Sequence, residues 1–294
     1  MSYTGDYALR RENIDHAVKA VALMEYKLKT LCNVDSSGAW VESFFRETNT
    51  DPTNITTGGG AYANIKGVRP QAPFPYGQVA WTKVSINNNK FACEGLISLE
   101  DESMGNLDVL SRTILRVARA IAKAEDAEVA ANMLASAGNT FAITAGNEWD
   151  SATVANRDPV YDILYGIDMI RKDNLDALNG NGYLCVNGTD YTNILRNSKV
   201  INNPTFKSAD VVSNGVVGEI CGLKIMVTEV LEASTPDVAY IVIKNEAMTW
   251  KEVQSLKSEV VVDPGKSKTI RAWSIGSCAV VSPNAICKIT NTRA

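Results

Sequence analysis

NLDVLSRTILRVARAIAKAEDAEVAANMLA, residues 106–135, is the stretch from which the rest of the chain is read. It holds no Gly or Pro and is rich in Ala, Leu, Arg, Lys and Glu, which lose little freedom on entering a helix. Leu107, Leu110, Ile114, Val117, Ile121 and Ala124 recur at three- and four-residue steps and predict one buried face. Asn106, just after Gly105, is placed to cap the start. At ~1.5 Å per residue such a helix is about 45 Å long, well beyond the usual run. Arg112, Arg116, Arg119 and Lys123 form a second stripe, and Glu125, Asp126 and Glu128 follow it. That charged stripe reads either as a solvated face or as a face that meets other subunits. A helix of this length suits a backbone on which separate lobes hang.

Upstream, two strand-like runs, QVAWTKVSI (78–86) and KFACEGLIS (90–98), flank Asn87-Asn88-Asn89, residues that tolerate left-handed turn geometry. They predict a long β-hairpin with nothing nearby to cover it, so it packs on its own domain or reaches a neighbour. PQAPFPYG (70–77) is a stiff lead-in, and the Thr-, Asn- and Gly-rich segment 47–70 reads as an extended arm or hinge. Arg10 to Cys32 predicts an amphipathic helix with Ile14, Val18, Val21, Leu28 and Leu31 on one face. Trp40, Phe44 and Phe45 need burial that the local sequence does not supply.

Downstream, Asp158-Pro159 opens a helix as cap and first residue. That helix is expected over 160–178, with Ile163, Ile167 and Ile170 inward. A short strand at 183–187 follows, then a helix capped by Thr189 or Asp190, a strand at 223–231 and another at 239–245. This alternation predicts a mixed α/β lobe. From Trp250 the chain is mostly strand, broken at Pro264-Gly265, Gly276 and Pro283-Asn284, which predicts a C-terminal antiparallel sheet. The fold class is α+β.

Composition bounds the function. The 294 residues are 45% hydrophobic and 21% charged, with a net charge of -4. This is a globular chain, and its acidic balance argues against a protein whose main work is gripping nucleic acid. No apolar run approaches the ~18 residues of a membrane span. MSYTGDYALRREN at the start lacks an apolar signal core. Six scattered cysteines without a CxxC are expected as buried thiols, not disulfides or zinc ligands. His16 is the lone histidine, so a catalytic triad and a His-based metal site lose their usual partner. There is no GxGxxG, P-loop or GxSxG, and the glycines of 180–182 and 215–222 read as turns. Neighbouring acids such as Glu125 and Asp126 read as ordinary carboxylates near helix ends. Lys83 and Lys90 read as solvated strand charges, and Trp81 and Phe91 as packing aromatics. No catalytic residue, cofactor or metal is expected.

The order of parts is an N-terminal helix and arm, a hairpin, a long helix, an α/β lobe and a C-terminal sheet. With the segment DPVYDILYGIDMIRKDN…NGYLCVNGTDYTNILRN…GVVGEICGLKIMVTEVL (158–231), and Gly218 to Thr228 in particular, it resembles the major capsid protein of tailed double-stranded-DNA viruses, the Hong Kong 97 type of coat fold that encapsulins share. The resemblance implies an N-terminal arm at 1–60 and an extended loop at 61–101 that reaches over a neighbour. It implies a spine helix within 102–139, an axial domain at 140–245 and a peripheral sheet at 246–294. It implies pentamers and hexamers of the chain itself, closing an icosahedral shell around packaged DNA without sequence-specific binding and without a membrane. A scaffold, a portal and decoration proteins are further partners, and the place is the virion after synthesis in the host cytoplasm. Trp81, Lys83, Lys90, Phe91, Arg112, Arg116 and Arg119 become the candidate inter-subunit contacts. PGKSK (264–268) carries no Asn, so the covalent cross-link of some members is not expected. Deleting residues 1–32 is expected to harm assembly more than folding. An encapsulin-like compartment and, in another class, an enzyme built on 158–231 are the alternatives.

Overall fold

The computed structural model describes residues 11–47, 70–71, 81–104, 109–197, 200, 218–234 and 237–294. The expected cap at Asn106, the arm from 48 to 69, most of the lead-in at 70–77 and the loop at 202–204 lie outside the described residues. The chain opens with α1 (Arg11–Glu25) and a 3-10 turn (Leu28–Leu31), then β1 (Asn33–Ser36), β2 (Val41–Glu47), β3 (Trp81–Asn87) and β4 (Asn89–Ser98). α2 (Leu99–Met104) leads to α3 (Val109–Ser136), β5 (Asn139–Ala142) and α4 (Pro159–Lys172). Next come β6 (Gly182–Val186), α5 (Gly188–Arg196), β7 (Glu219–Ile220), β8 (Leu223–Val227), α6 (Glu229–Ser234) and β9 (Val238–Ile243). β10 (Met248–Asp263), β11 (Ser267–Val280) and β12 (Ile286–Thr290) finish it.

α3 is the expected spine, and its two halves belong to two cores. Ile114, Val117, Ala118 and Ile121 pack with Ile14, Val18 and Ala22 of α1 and with Ile97, Leu256, Ile270 and Ala272 of the strands. Val129, Ala130 and Met133 belong to a larger core with Ile163 and Ile167 of α4 and Leu184, Tyr240, Ile241 and Ile289 of the strands. The buried stripe departs from the sequence reading at the seam between these cores. Ala124 is exposed, while Glu125 and Asp126 are buried at 0% and 1%. Stepping four residues from Ile121 reaches Glu125, so helical phase carries these acids inward. They are not the solvated carboxylates expected.

Asp126 also explains why the first helix stops at Glu25 instead of running to Cys32. Its carboxylate accepts the backbone N–H of Lys27 at 2.8 Å and of Lys29 at 2.9 Å. Those are donors that a continuing helix would spend on its own carbonyls.

The strands form a four-stranded sheet in the order β1-β10-β11-β4, a six-stranded sheet in the order β5-β12-β9-β6-β8-β7, and a two-stranded ribbon of β2 and β3. The expected hairpin between 78–86 and 90–98 is therefore not formed. β3 pairs antiparallel with β2, and β4 pairs antiparallel with β11. Asn88 is not a loop tip but a buried switch point, its N–H donating to the carbonyl of Trp40 at 3.0 Å. The C-terminal sheet is split as well, since β12 joins β9 and β5 in the six-stranded sheet. Gly265 takes the positive φ (+76°) that a type II turn needs. Gly276, expected to break the strand, lies inside β11. A Cβ there would stand 2.7 Å from the Lys251 carbonyl and 2.9 Å from Trp250 Nε1, so glycine lets β11 lie close against the backbone and indole of β10.

In the α/β lobe, Asp158 caps α4 as expected, accepting the N–H of Tyr161 at 3.2 Å. Ile163, Ile167 and Ile170 are buried, although the helix ends at Lys172, short of 178. The cap of α5 is Asn187, which accepts the N–H of Asp190 at 2.7 Å, and neither Thr189 nor Asp190. The strand expected over 223–231 ends at Val227. Thr228 Oγ1 then accepts the N–H of Val230 at 3.4 Å as α6 begins.

Candidate functional site

The two-stranded ribbon of β2 and β3 leaves one of its faces open. Its register runs from Val41 opposite Asn87 to Glu47 opposite Trp81. Alternation sorts the two faces. Glu42, Phe44, Arg46, Val84 and Ile86 are half-buried, while Val41, Phe45, Trp81 and Lys83 are exposed, with Phe45 at 64% and Trp81 at 60%. Two large aromatic rings thus stand open on one face of a two-stranded ribbon, an element that is marginal alone.

Polar contacts fix both of its ends. Arg46 donates from Nε and Nη2 to the Val280 carbonyl at 3.1 and 2.7 Å. Asn88 donates from Nδ2 to the Ala39 carbonyl at 2.8 Å and accepts the Ser277 hydroxyl at 3.1 Å. The ribbon is thus held at both ends, by Asn88 next to the Val41–Asn87 pair and by Arg46 next to Glu47, and its outer face sets Val41, Phe45 and Trp81 among Ser43, Lys83, Ser85 and Asn87.

The seam on α3 gathers buried charge. Lys29 Nζ donates to Glu125 Oε2 at 2.6 Å, and Ser274 Oγ donates to the other oxygen. The same ammonium lies 4.5 Å above the Trp250 ring and 4.7 Å from that of Tyr26. Burial raises the Asp126 pKa against its backbone N–H donors, and burial beside Glu125 raises that of the Tyr26 phenol. Each carboxylate is engaged by the chain itself. The arrangement ties the 3-10 turn, the spine and β11 together and presents no nucleophile paired with a base. A second cluster closes the α/β lobe. Asp190 is buried, accepts the Thr292 hydroxyl at 3.0 Å and lies 3.6 Å from Arg293 Nε. Burial raises its pKa to about 6. Arg293 in turn donates to both oxygens of Glu232 at 3.1 and 2.9 Å. Among the described residues no set of three His, Cys, Asp or Glu side chains is placed to hold a metal ion, and no helix is long and apolar enough to cross a membrane.

The seven candidate contacts fall in three places. Trp81 and Lys83 share the outer ribbon face, joined there by Phe45, for which the sequence showed only an unburied aromatic. Lys90 is exposed on β4 opposite Ile275, while Phe91 beside it is half-buried with its ring 6.1 Å from Trp250, a packing residue of this chain's own core. Arg112, Arg116 and Arg119 lie exposed along α3, and Arg119 Nε donates to Glu25 Oε1 at 2.7 Å. Arg46, Asn88, Lys29 and Asp126 were missed. For Asp126 the helical phase was a usable signal. For Asn88 there was none, because an Asn triplet reads as a turn.

A family model described as phage capsid protein matches residues 94–289. No curated protein sequence matches the chain. Among solved structures, the capsid of cyanophage P-SCSP1u is similar at TM-score 0.66 and 16% identity, over 90% of this chain and 88% of that one. Mycobacterium phage Che8 follows at 0.64 and 17%, over 91% and 92%. A virus-like particle from Pyrococcus furiosus gives 0.61 and 12%, over 95% and 98%. At these identities the likeness is one of fold.

Proposed function

The chain belongs to the phage capsid protein family, and we propose from that premise that it assembles as pentamers and hexamers into an icosahedral shell around packaged double-stranded DNA. It is a structural shell protein with the Hong Kong 97 type fold. The observation that carries the assembly reading is the ribbon, held at both ends and with Val41, Phe45, Trp81 and Lys83 exposed on its outer face. Such a face gains most by lying on a second copy of the chain, where burying apolar area contributes ~25 cal/mol per Å². The extended loop is then built on β2 and β3, and the lobe from 140 to 245 meets its copies around the symmetry axes. The DNA is enclosed without sequence-specific binding, and a scaffold, a portal and decoration proteins act beside the shell. Synthesis is in the host cytoplasm.

The test is electron microscopy with light scattering of the purified chain, alone and co-expressed with a candidate scaffold. Closed shells, or rings of five and six subunits, support the reading. A monodisperse monomer under both conditions refutes it.

A further inference from the structure

One face of the spine is charged in the opposite sense to the chain as a whole. Arg112, Arg116, Arg119 and Lys123 are all exposed on α3, with Leu115, Ala120 and Ala124 between them, in a chain of net charge -4. Only Arg119 has a carboxylate partner there, Glu25; Arg112, Arg116 and Lys123 have none among the described residues. The rise of an α-helix sets these cations about 6, 10 and 16 Å from the first along one line. A seam between subunits suits this face poorly. Desolvating clustered cations is costly unless each meets a carboxylate, and the apolar side chains between them are mostly alanines.

We propose that Arg112, Arg116, Arg119 and Lys123 form a sequence-independent docking surface for the phosphate backbone of duplex DNA, so that this face of α3 is turned towards the packaged genome. The inference rests on the shell reading above. A phosphate backbone accepts exposed cations with little desolvation, and their spacing along the helix lets them follow one strand. The contact is weak and salt-sensitive, which suits a shell that must hold DNA without gripping it.

The experiment uses the full-length unassembled chain and a 30-base-pair duplex of random sequence, with fluorescence anisotropy read against salt concentration. The variant Arg112→Gln/Arg116→Gln/Lys123→Gln spares Arg119, which holds Glu25. It is expected to bind at least ~10-fold more weakly at low salt, with the slope of log K against log salt reduced by about 3. The matching variant with Arg112→Lys/Arg116→Lys is expected to keep that slope, and unchanged thermal unfolding shows that each variant is folded. Electron microscopy is expected to show shells from the Gln variant as from the wild type. An unchanged DNA slope overturns the proposal. So does loss of shells in the Gln variant alone, which would make the face a subunit seam, and so does equal binding of polyglutamate, which would assign it to an acidic protein. Failure of the wild type to form shells is read separately and sinks the shell reading instead.

Discussion

Lys29, Glu125 and Asp126 show how one buried polar group constrains what surrounds it. Glu125 and Asp126 stand in the inward phase of the spine, where an unpaired carboxylate would be strongly destabilising. Lys29 and Ser274 answer one acid, and the backbone of the 3-10 turn answers the other. Replacing Lys29 with Met keeps much of the stem that covers Trp250 but strands Glu125. The expected loss is about 3–5 kcal/mol, measured by urea unfolding. Adding Glu125→Gln should recover part of it, and a Lys29→Met variant as stable as the wild type would show that the pair contributes nothing.

Asp162 gives a pH signature. It is buried and accepts Trp149 Nε1–H at 2.9 Å. Burial first, and nearby Asp158 second, raise its pKa from 3.8 to about 6. The folded state then holds this proton more tightly than the unfolded state, so its contribution is favourable at low pH and is lost as pH rises through that window. Asp162→Asn keeps an acceptor for the indole without the charge. It is expected to match or exceed the wild type at pH 7.5, by up to roughly 1–3 kcal/mol, with the difference closing towards pH 4. A variant less stable at pH 7.5 would contradict this.

At the scale of elements, the ribbon and the long strands carry different burdens. Trp81 stands on the outer ribbon face, away from both cores. Trp81→Asp is expected to leave the thermal unfolding of the subunit within about 0.5 kcal/mol, as for other exposed sites, and to abolish or weaken particle formation. Normal particles from that variant would mean that the ribbon face is not covered by a second copy. Gly276 is the contrast, because it works entirely within the subunit. Gly276→Ala drives a methyl against the Lys251 carbonyl and the Trp250 indole, where a backbone oxygen cannot step aside. The expected cost is about 1–3 kcal/mol of overpacking, read as a lower denaturation midpoint.

For the whole molecule, the spine joins two cores, and α1 belongs to one of them. Ile14, Val18, Leu28 and Leu31 are all buried at 1% or less. At ~1.5–3 kcal/mol for each fully buried side chain, these four together rival the ~5–15 kcal/mol that holds a domain folded. The expectation that deleting residues 1–32 harms assembly more than folding is therefore reversed. The deletion should expose Asp126 and Glu125, loosen the N-terminal half of α3 and lower the unfolding temperature sharply, as seen by circular dichroism and amide exchange. Unfolding identical to the full chain would mean that α1 is an appended arm after all.

Local pattern alone determined the spine, the Asp158-Pro159 helix start, the alternation of helix and strand in the α/β lobe and the strand-rich C-terminus. Each follows from interactions between residues a few positions apart, which helical or strand period and capping chemistry express directly. Tertiary structure decided the rest. β3 and β4 each read correctly as a strand, but neither could reveal its partner, because pairing is settled by competition among distant segments. Hence a presumed hairpin became one strand of a ribbon and one of a sheet, with Asn88 buried between them. Glu125 read as a surface acid because Lys29 lies 96 residues away and Ser274 lies 149 away. Only folding brings them close enough to make burial of that charge tolerable.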